Sequence, residues 1–127
     1  MRIKKLGAAA AALVLAGSLA ACGGGDDEVE VASETDFEAG TTMAEIADRG
    51  TVTVGTKFDQ PGFGLLGFED VPEGFDVEVA KIIAGALGIA EDDIEWVQAT
   101  SDIREQVIED GDVDFVVATY TINDERK

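Results

Sequence analysis

Three short runs, Thr51–Thr56, Ile94–Gln98 and Val113–Ala118, set the limits on what this chain can fold into. They are rich in β-branched and apolar residues, which suit a pleated, half-buried surface. Between the first two runs, Val79, Ile82, Ile83, Ala86 and Leu87 recur at helical spacing. This predicts a helix opening at Phe75-Asp76, running to Leu87 and stopped by Gly88. Between the last two runs a helix is expected over Ile103–Glu109, capped from Thr100, Ser101 or Asp102 and ended by Gly111. The resulting strand–helix–strand–helix–strand order is that of an α/β fold with a parallel sheet and crossover connections. A short helix, Met43–Arg49, precedes it, capped from Thr41 or Thr42 and stopped by Gly50. Phe58–Pro72 reads as a loop because Pro61, Gly62, Gly64, Gly67 and Pro72 break any longer element.

The charge distribution points to the carboxyl ends of those strands. Beyond residue 21 the chain carries all 27 of its acidic residues and only six basic ones: Arg49, Lys57, Lys81, Arg104, Arg126 and Lys127. Lys57 closes the first strand, Arg104 follows the second and Arg126 follows the third. In open α/β sheets the ligand crevice lies outside the carboxyl ends of the strands. Three cations on that rim suggest a pocket for a small anion. The alternative is that they neutralise nearby carboxylates, the commoner use of a cation. The acidic balance argues against nucleic acid as a partner and against charge-driven binding to an anionic membrane surface.

The first residues read as a targeting segment. Arg2, Lys4 and Lys5 form a positive start, and Leu6–Ala21 is apolar, small and too short for a comfortable membrane span. The segment ends in Leu19-Ala20-Ala21-Cys22-Gly23, the lipobox pattern in which Cys22 becomes a lipidated N-terminus. Residues 1–21 are therefore expected as a lipoprotein signal peptide. Residues 22–42 are expected as the lipidated cysteine and a disordered acidic tether, since the acids from Asp26 to Glu38 repel one another. Residues 43–127 are expected as the folded unit. Its pattern stops at Glu125-Arg126-Lys127 without a closing element, which suggests one lobe of a larger protein. Cys22 is the only cysteine, so no internal disulfide is expected.

Two motif matches do not hold. Gly62-Phe63-Gly64-Leu65-Leu66-Gly67 fits G-x-G-x-x-G, but a dinucleotide site needs those glycines to open a helix directly after a strand. Here Pro61 intervenes, and Glu69, Asp70 and Glu73 follow, which would repel a pyrophosphate. Asp110-Gly111-Asp112-Val113-Asp114 resembles the start of a calcium loop but has Phe115 and Thr121 at the sixth and twelfth positions, where Gly and Glu are needed. The chain has no His. Ser/His/Asp and Cys/His nucleophilic sites and the usual zinc sites are excluded on that ground. No cofactor or metal is expected.

The segment Ala118-Thr119-Tyr120-Thr121-Ile122-Asn123-Asp124-Glu125-Arg126 leaves a strand toward a helix start at Asn123. It places hydroxyls and loop amides just before an arginine. A guanidinium can grip a carboxylate through two parallel hydrogen bonds, and Thr hydroxyls and amides can satisfy the remaining lone pairs. A helix cap followed by a surface arginine is the simpler alternative.

These residues resemble the N-terminal lobe of the amino-acid-binding proteins of ABC importers, solute-binding protein family 3. Within that family the likeness is to the glutamate-binding lipoproteins of actinobacteria. The matching pieces are Val54–Gly64, Glu73–Ala80, Thr100–Arg104 and Val113–Lys127, in family order. The resemblance implies a periplasmic-binding-protein-like lobe, truncated before a second lobe that would complete the ligand cleft. It implies that Arg126 clamps the ligand α-carboxylate with the Thr121 amide and hydroxyl, and that the Thr119 carbonyl accepts from the α-ammonium. Lys57 and Arg104 would meet a side-chain carboxylate, with Ser101 nearby. The protein implied is an extracytoplasmic lipoprotein, anchored through Cys22. It would bind an acidic amino acid, glutamate first, and deliver it to an ABC permease. An exported enzyme on the same fold, dehydratase-like, and a structural envelope lipoprotein are the alternatives.

Overall fold

The computed structural model describes residues 28–127. The expected signal peptide, Cys22 and the start of the tether lie outside the described residues. In chain order the elements are α1 (Thr42–Arg49), β1 (Val52–Thr56), β2 (Asp59–Gln60), β3 (Gly64–Leu66), β4 (Pro72–Glu73), α2 (Phe75–Ala86), β5 (Ile94–Gln98), α3 (Arg104–Glu109) and β6 (Phe115–Val116). Short 3-10 turns cover Glu91–Asp93 and Asp124–Arg126.

β1 is the central strand of a parallel sheet ordered β5-β1-β6. Val52 to Thr56 pair in register with Ile94 to Gln98, and Val54 and Gly55 pair with Phe115 and Val116. A strand paired on both edges and covered on its faces should be apolar throughout, and Val52 and Val54 are fully buried. Gly55 is required within this strand: a Cβ there would lie 2.8 Å from Val116 Cγ2 and 3.1 Å from Ala99 Cβ. The main core gathers Ile46, Val52, Val54, Ala80, Ala84, Leu87, Ile89 and Ile94. A second cluster, Ala99, Val107 and Val113, lies between α3 and the sheet. Only Phe115 and Val116 of the expected run Val113–Ala118 form β6. Asp114 instead turns its carboxylate to the Thr53 amide at 2.8 Å and to Arg49.

The segment expected as a loop, Phe58–Pro72, contains most of a second sheet, antiparallel and ordered β2-β3-β4. The breakers are its turns. Pro61 and Gly62 occupy the centre of a turn closed by the Phe63 N–H on Gln60 O at 3.2 Å, with Gly62 at φ +82. That is the Pro-Gly signature of a type II turn. Strands of two or three residues are too short to show an alternating pattern. This small sheet fixes the start of α2. The Phe75 and Asp76 amides donate to Gly62 O and Phe63 O at 3.0 and 2.9 Å. Gly74 makes that approach possible, since a Cβ there would stand 2.5 Å from the Phe63 backbone at φ +130.

α2 buries a different stripe from the one its large aliphatic residues suggest. Asp76, Val77, Ala80 and Ala84 face inward, whereas Ile82 and Ile83 are exposed. Small side chains let the helix approach β1, and the bulkier ones cannot fit there. Part of the expected tether rests on the opposite side of α2. The Ala32 amide donates to Gly85 O at 2.8 Å, and Phe37 packs against the main core. Mutual repulsion of the acids is offset there by Val29, Ala32 and Phe37, which supply apolar contact. α1 begins one residue earlier than expected and is capped by the Thr41 hydroxyl, which accepts from the Ala44 amide at 3.3 Å.

Candidate functional site

The carboxyl end of β1 continues directly into Lys57. Its Nζ donates to Gln60 Oε1 at 3.0 Å. The same oxygen accepts from the Thr119 hydroxyl at 2.7 Å, so the β2 hairpin ties the end of β1 to the segment after β6. Gly64 lets the hairpin lie this close, because a Cβ there would stand 2.4 Å from Lys57 O.

Arg104 opens α3. Helix α3 starts one residue later than expected, with Ile103 at its N-cap and no side-chain cap. Thr100 turns its hydroxyl to the Asp102 carboxylate instead, and this holds Asp102 below the usual carboxylate range. Arg104 is only 5% exposed. Its Nη1 donates to Thr119 O at 2.7 Å, and its guanidinium stacks 4.0 Å from the Tyr120 ring centroid. Its Nε is buried without a partner. Arg126 reaches the same ring at 4.3 Å, donates from Nη1 to Thr121 O at 3.2 Å, and has Nε 3.7 Å from Glu105 Oε1.

The structure thus brings Lys57, Arg104, Thr119, Thr121 and Arg126 into one connected rim. Ser101 lies exposed in the turn before α3 and makes no side-chain hydrogen bond among the described residues. The Thr119 carbonyl, expected to face an α-ammonium, already accepts from Arg104, although a carbonyl oxygen has a second lone pair.

The basic residues differ in their pairing, and Arg126 of the rim lies against Glu105. Arg49 pairs with Asp114, Lys81 with Glu78 and Glu91, and Lys127 with Asp124. Among the described residues, Lys57 and Arg104 have no carboxylate within salt-bridge distance and are held by neutral groups instead.

Four residues of the rim were not expected. Gln60, Tyr120 and Glu105 connect the cations as described above. The fourth is Asp76, 6% exposed, with Oδ2 unpartnered. Desolvation raises its pKa, while the Thr119 amide and the Lys57 charge pull in the other direction. A signal for Asp76 exists in the sequence: it shares the i, i+4, i+8 stripe with Ala80 and Ala84, so it is an acid on a buried face. Tyr120 was visible only as the sole tyrosine, and nothing in the sequence directs the Gln60 side chain inward.

A parallel sheet with helical crossovers, a small antiparallel hairpin sheet and a polar rim at the carboxyl strand ends define a lobe of the α/β ligand-binding class. Residues 52–127 match the bacterial extracellular solute-binding proteins, family 3, and the chain belongs to that family. It is 39% identical over 126 residues to the glutamate-binding protein GluB of Corynebacterium efficiens, covering 94% of this chain and 38% of that protein. It is 39% identical over 98 residues to a glutamine-binding protein of Geobacillus stearothermophilus, covering 76% and 37%. Among solved structures it is similar to the solute receptor for L-cysteine of Neisseria gonorrhoeae, with a TM-score of 0.63, 34% identity, and coverage of 68% of this chain and 35% of that one. It is also similar to the arginine-bound form of domain 1 from TmArgBP of T. maritima, with a TM-score of 0.57, 33% identity, and coverage of 65% and 63%. The chain spans 38% of the length of the curated GluB relative that it matches.

Proposed function

We propose that this chain is the cation-bearing lobe of an extracytoplasmic receptor that binds an acidic amino acid, glutamate first, and presents it to an ABC permease. The carrying observation is that Lys57 and Arg104 sit at the strand ends, on a chain of net charge −18, without a carboxylate partner among the described residues. Cations held by neutral groups keep their charge for a ligand. Arg104 spends one of its five donors on Thr119 O, and Lys57 one of its three on Gln60. Both suit a side-chain carboxylate. Arg126, with Thr121, suits the α-carboxylate, and the second lone pair of Thr119 O suits the α-ammonium. Ser101 stands at the edge of the same rim. The GluB relative, named for glutamate, supports the acidic choice, while the glutamine-binding relative makes the side-chain end the point to test. Capture of this kind needs different affinities in two states and no chemistry on the ligand. We further propose that the protein is anchored by lipid at Cys22. Calorimetry with glutamate, aspartate, glutamine, arginine and cysteine tests the assignment. Glutamate should bind most tightly; tighter binding of a neutral or basic amino acid would overturn the acidic reading.

A further inference from the structure

Among the described residues, Glu105 is the carboxylate that lies against an arginine of the rim. It is the second residue of α3 and its side chain is half exposed. Its Oε1 accepts from the Tyr120 hydroxyl and lies 3.7 Å from Arg126 Nε. Tyr120 in turn carries both guanidiniums on its ring. Arg126 already spends Nη1 on Thr121 O. The Nε edge is one of the two edges through which a guanidinium can grip a carboxylate by parallel hydrogen bonds, and a carboxylate of the protein stands against it.

We propose that Glu105 is an internal competitor for Arg126: held by the Tyr120 hydroxyl, it occupies the guanidinium of the free lobe, and a ligand carboxylate must displace it. Glu105 thereby sets the affinity for carboxylate ligands lower than the rim cations alone would give. The inference rests on the amino-acid-binding reading above. A positioning role, in which Glu105 merely holds Arg126 in place, makes the opposite prediction for the same substitution, so the sign of one measurement decides between them.

Glu105→Gln keeps the length of the side chain and an acceptor for the Tyr120 hydroxyl but removes the charge. Calorimetry should show L-glutamate binding about threefold more tightly to the variant, the scale of an exposed ion pair. The gain should vanish in high salt, where such a pair is screened; a purely structural effect would not follow salt. A second readout needs no ligand. The hydrogen bond to Glu105 raises the pKa of the Tyr120 phenol, and Tyr120 is the only tyrosine of the chain. Its absorbance titration should therefore move down in Glu105→Gln. Equal or weaker glutamate binding by the folded variant overturns the proposal, as does an unmoved phenol titration. If neither parent nor variant binds any amino acid, the reading of the function falls and takes the competitor with it. Binding by the parent without tightening in the variant sinks the competitor alone.

Discussion

Arg104→Gln tests the rim where it is most buried. The guanidinium is 5% exposed, donates to Thr119 O at 2.7 Å and lies against Tyr120 at 4.0 Å. Two effects on stability oppose each other. Losing a charge-assisted hydrogen bond costs roughly 1.5–3 kcal/mol, but a neutral side chain no longer bears the desolvation of a buried charge, which is worth several kcal/mol. The fold should therefore survive, with a net change within about 2 kcal/mol. Binding should not balance in this way. A glutamate side-chain carboxylate loses its desolvated partner, which costs about 2–5 kcal/mol. Glutamine, with a neutral amide at the same place, never gained that charge interaction. The glutamate-to-glutamine affinity ratio should fall at least tenfold, or ~1.4 kcal/mol. Calorimetry with both ligands, alongside circular dichroism to show a folded variant, reads the result. A folded Arg104→Gln that keeps the parental ratio refutes the reasoning and returns Arg104 to the role of a structural arginine that braces Thr119 and Tyr120.

Two further outcomes follow from the geometry and a third from the sequence around Cys22. Gly74→Ala should lower stability by about 2 kcal/mol or more, because it combines a left-handed backbone with a 2.5 Å clash on Phe63; a thermal midpoint within a few degrees of the parent would contradict this. Asp76→Asn should gain stability on the parent as pH rises from about 4 to 7. Burial raises the Asp76 pKa, so the contribution of its protonated form is complete below the ordinary carboxylate value and is lost as pH climbs through the raised one. Parallel melting curves with no growing gap would show that Asp76 is not desolvated in solution. Cys22→Ser should release the protein from the membrane fraction on cell fractionation, since stable anchoring needs its acyl chains; unchanged sedimentation would remove the anchor from the proposal.

Strong local signals gave the elements on which the parallel sheet depends. β1 was legible because β-branched residues run together in it and β5 from Ile94, Trp96 and Val97, and α1 and α2 were bounded by Thr41, Gly50 and Gly88. The small antiparallel sheet was not legible. Its strands are two or three residues long, and the same Pro61 and Gly62 that mark a loop also close its turn. The spacing of Val79, Ile82 and Ile83 marked a helix without giving its buried face, which close packing assigns to Ala80 and Ala84. At the site, Lys57, Arg104 and Arg126 were found by position alone, as cations following strands. The groups that connect them were not. Gln60 is aimed by the hairpin turn, and Tyr120 is placed by two arginines from different parts of the chain. Such contacts exist only once the chain is folded.

The acid-rich composition gives the unpaired cations their meaning. With 27 acids and nine bases in the chain, a basic side chain left to chance finds a carboxylate, and Arg49, Lys81 and Lys127 do. Keeping Lys57 and Arg104 free of one requires that their surroundings be built from neutral polar groups. The structure supplies these: the Gln60 amide oxygen for Lys57, and the Thr119 carbonyl and the Tyr120 ring for Arg104. Each of these groups satisfies a donor or covers a charge without cancelling it. The nearest buried acid, Asp76, sits behind the same rim, where burial favours its neutral form. Glu105 is the departure from this pattern, and it meets the most exposed of the three cations. A rim that merely balanced charge would place carboxylates on the buried cations first, where the Coulomb energy is greatest. The opposite arrangement, with buried Arg104 and half-buried Lys57 unpaired and an exposed cation partly paired, is what a site needs if the carboxylate that completes it arrives from outside.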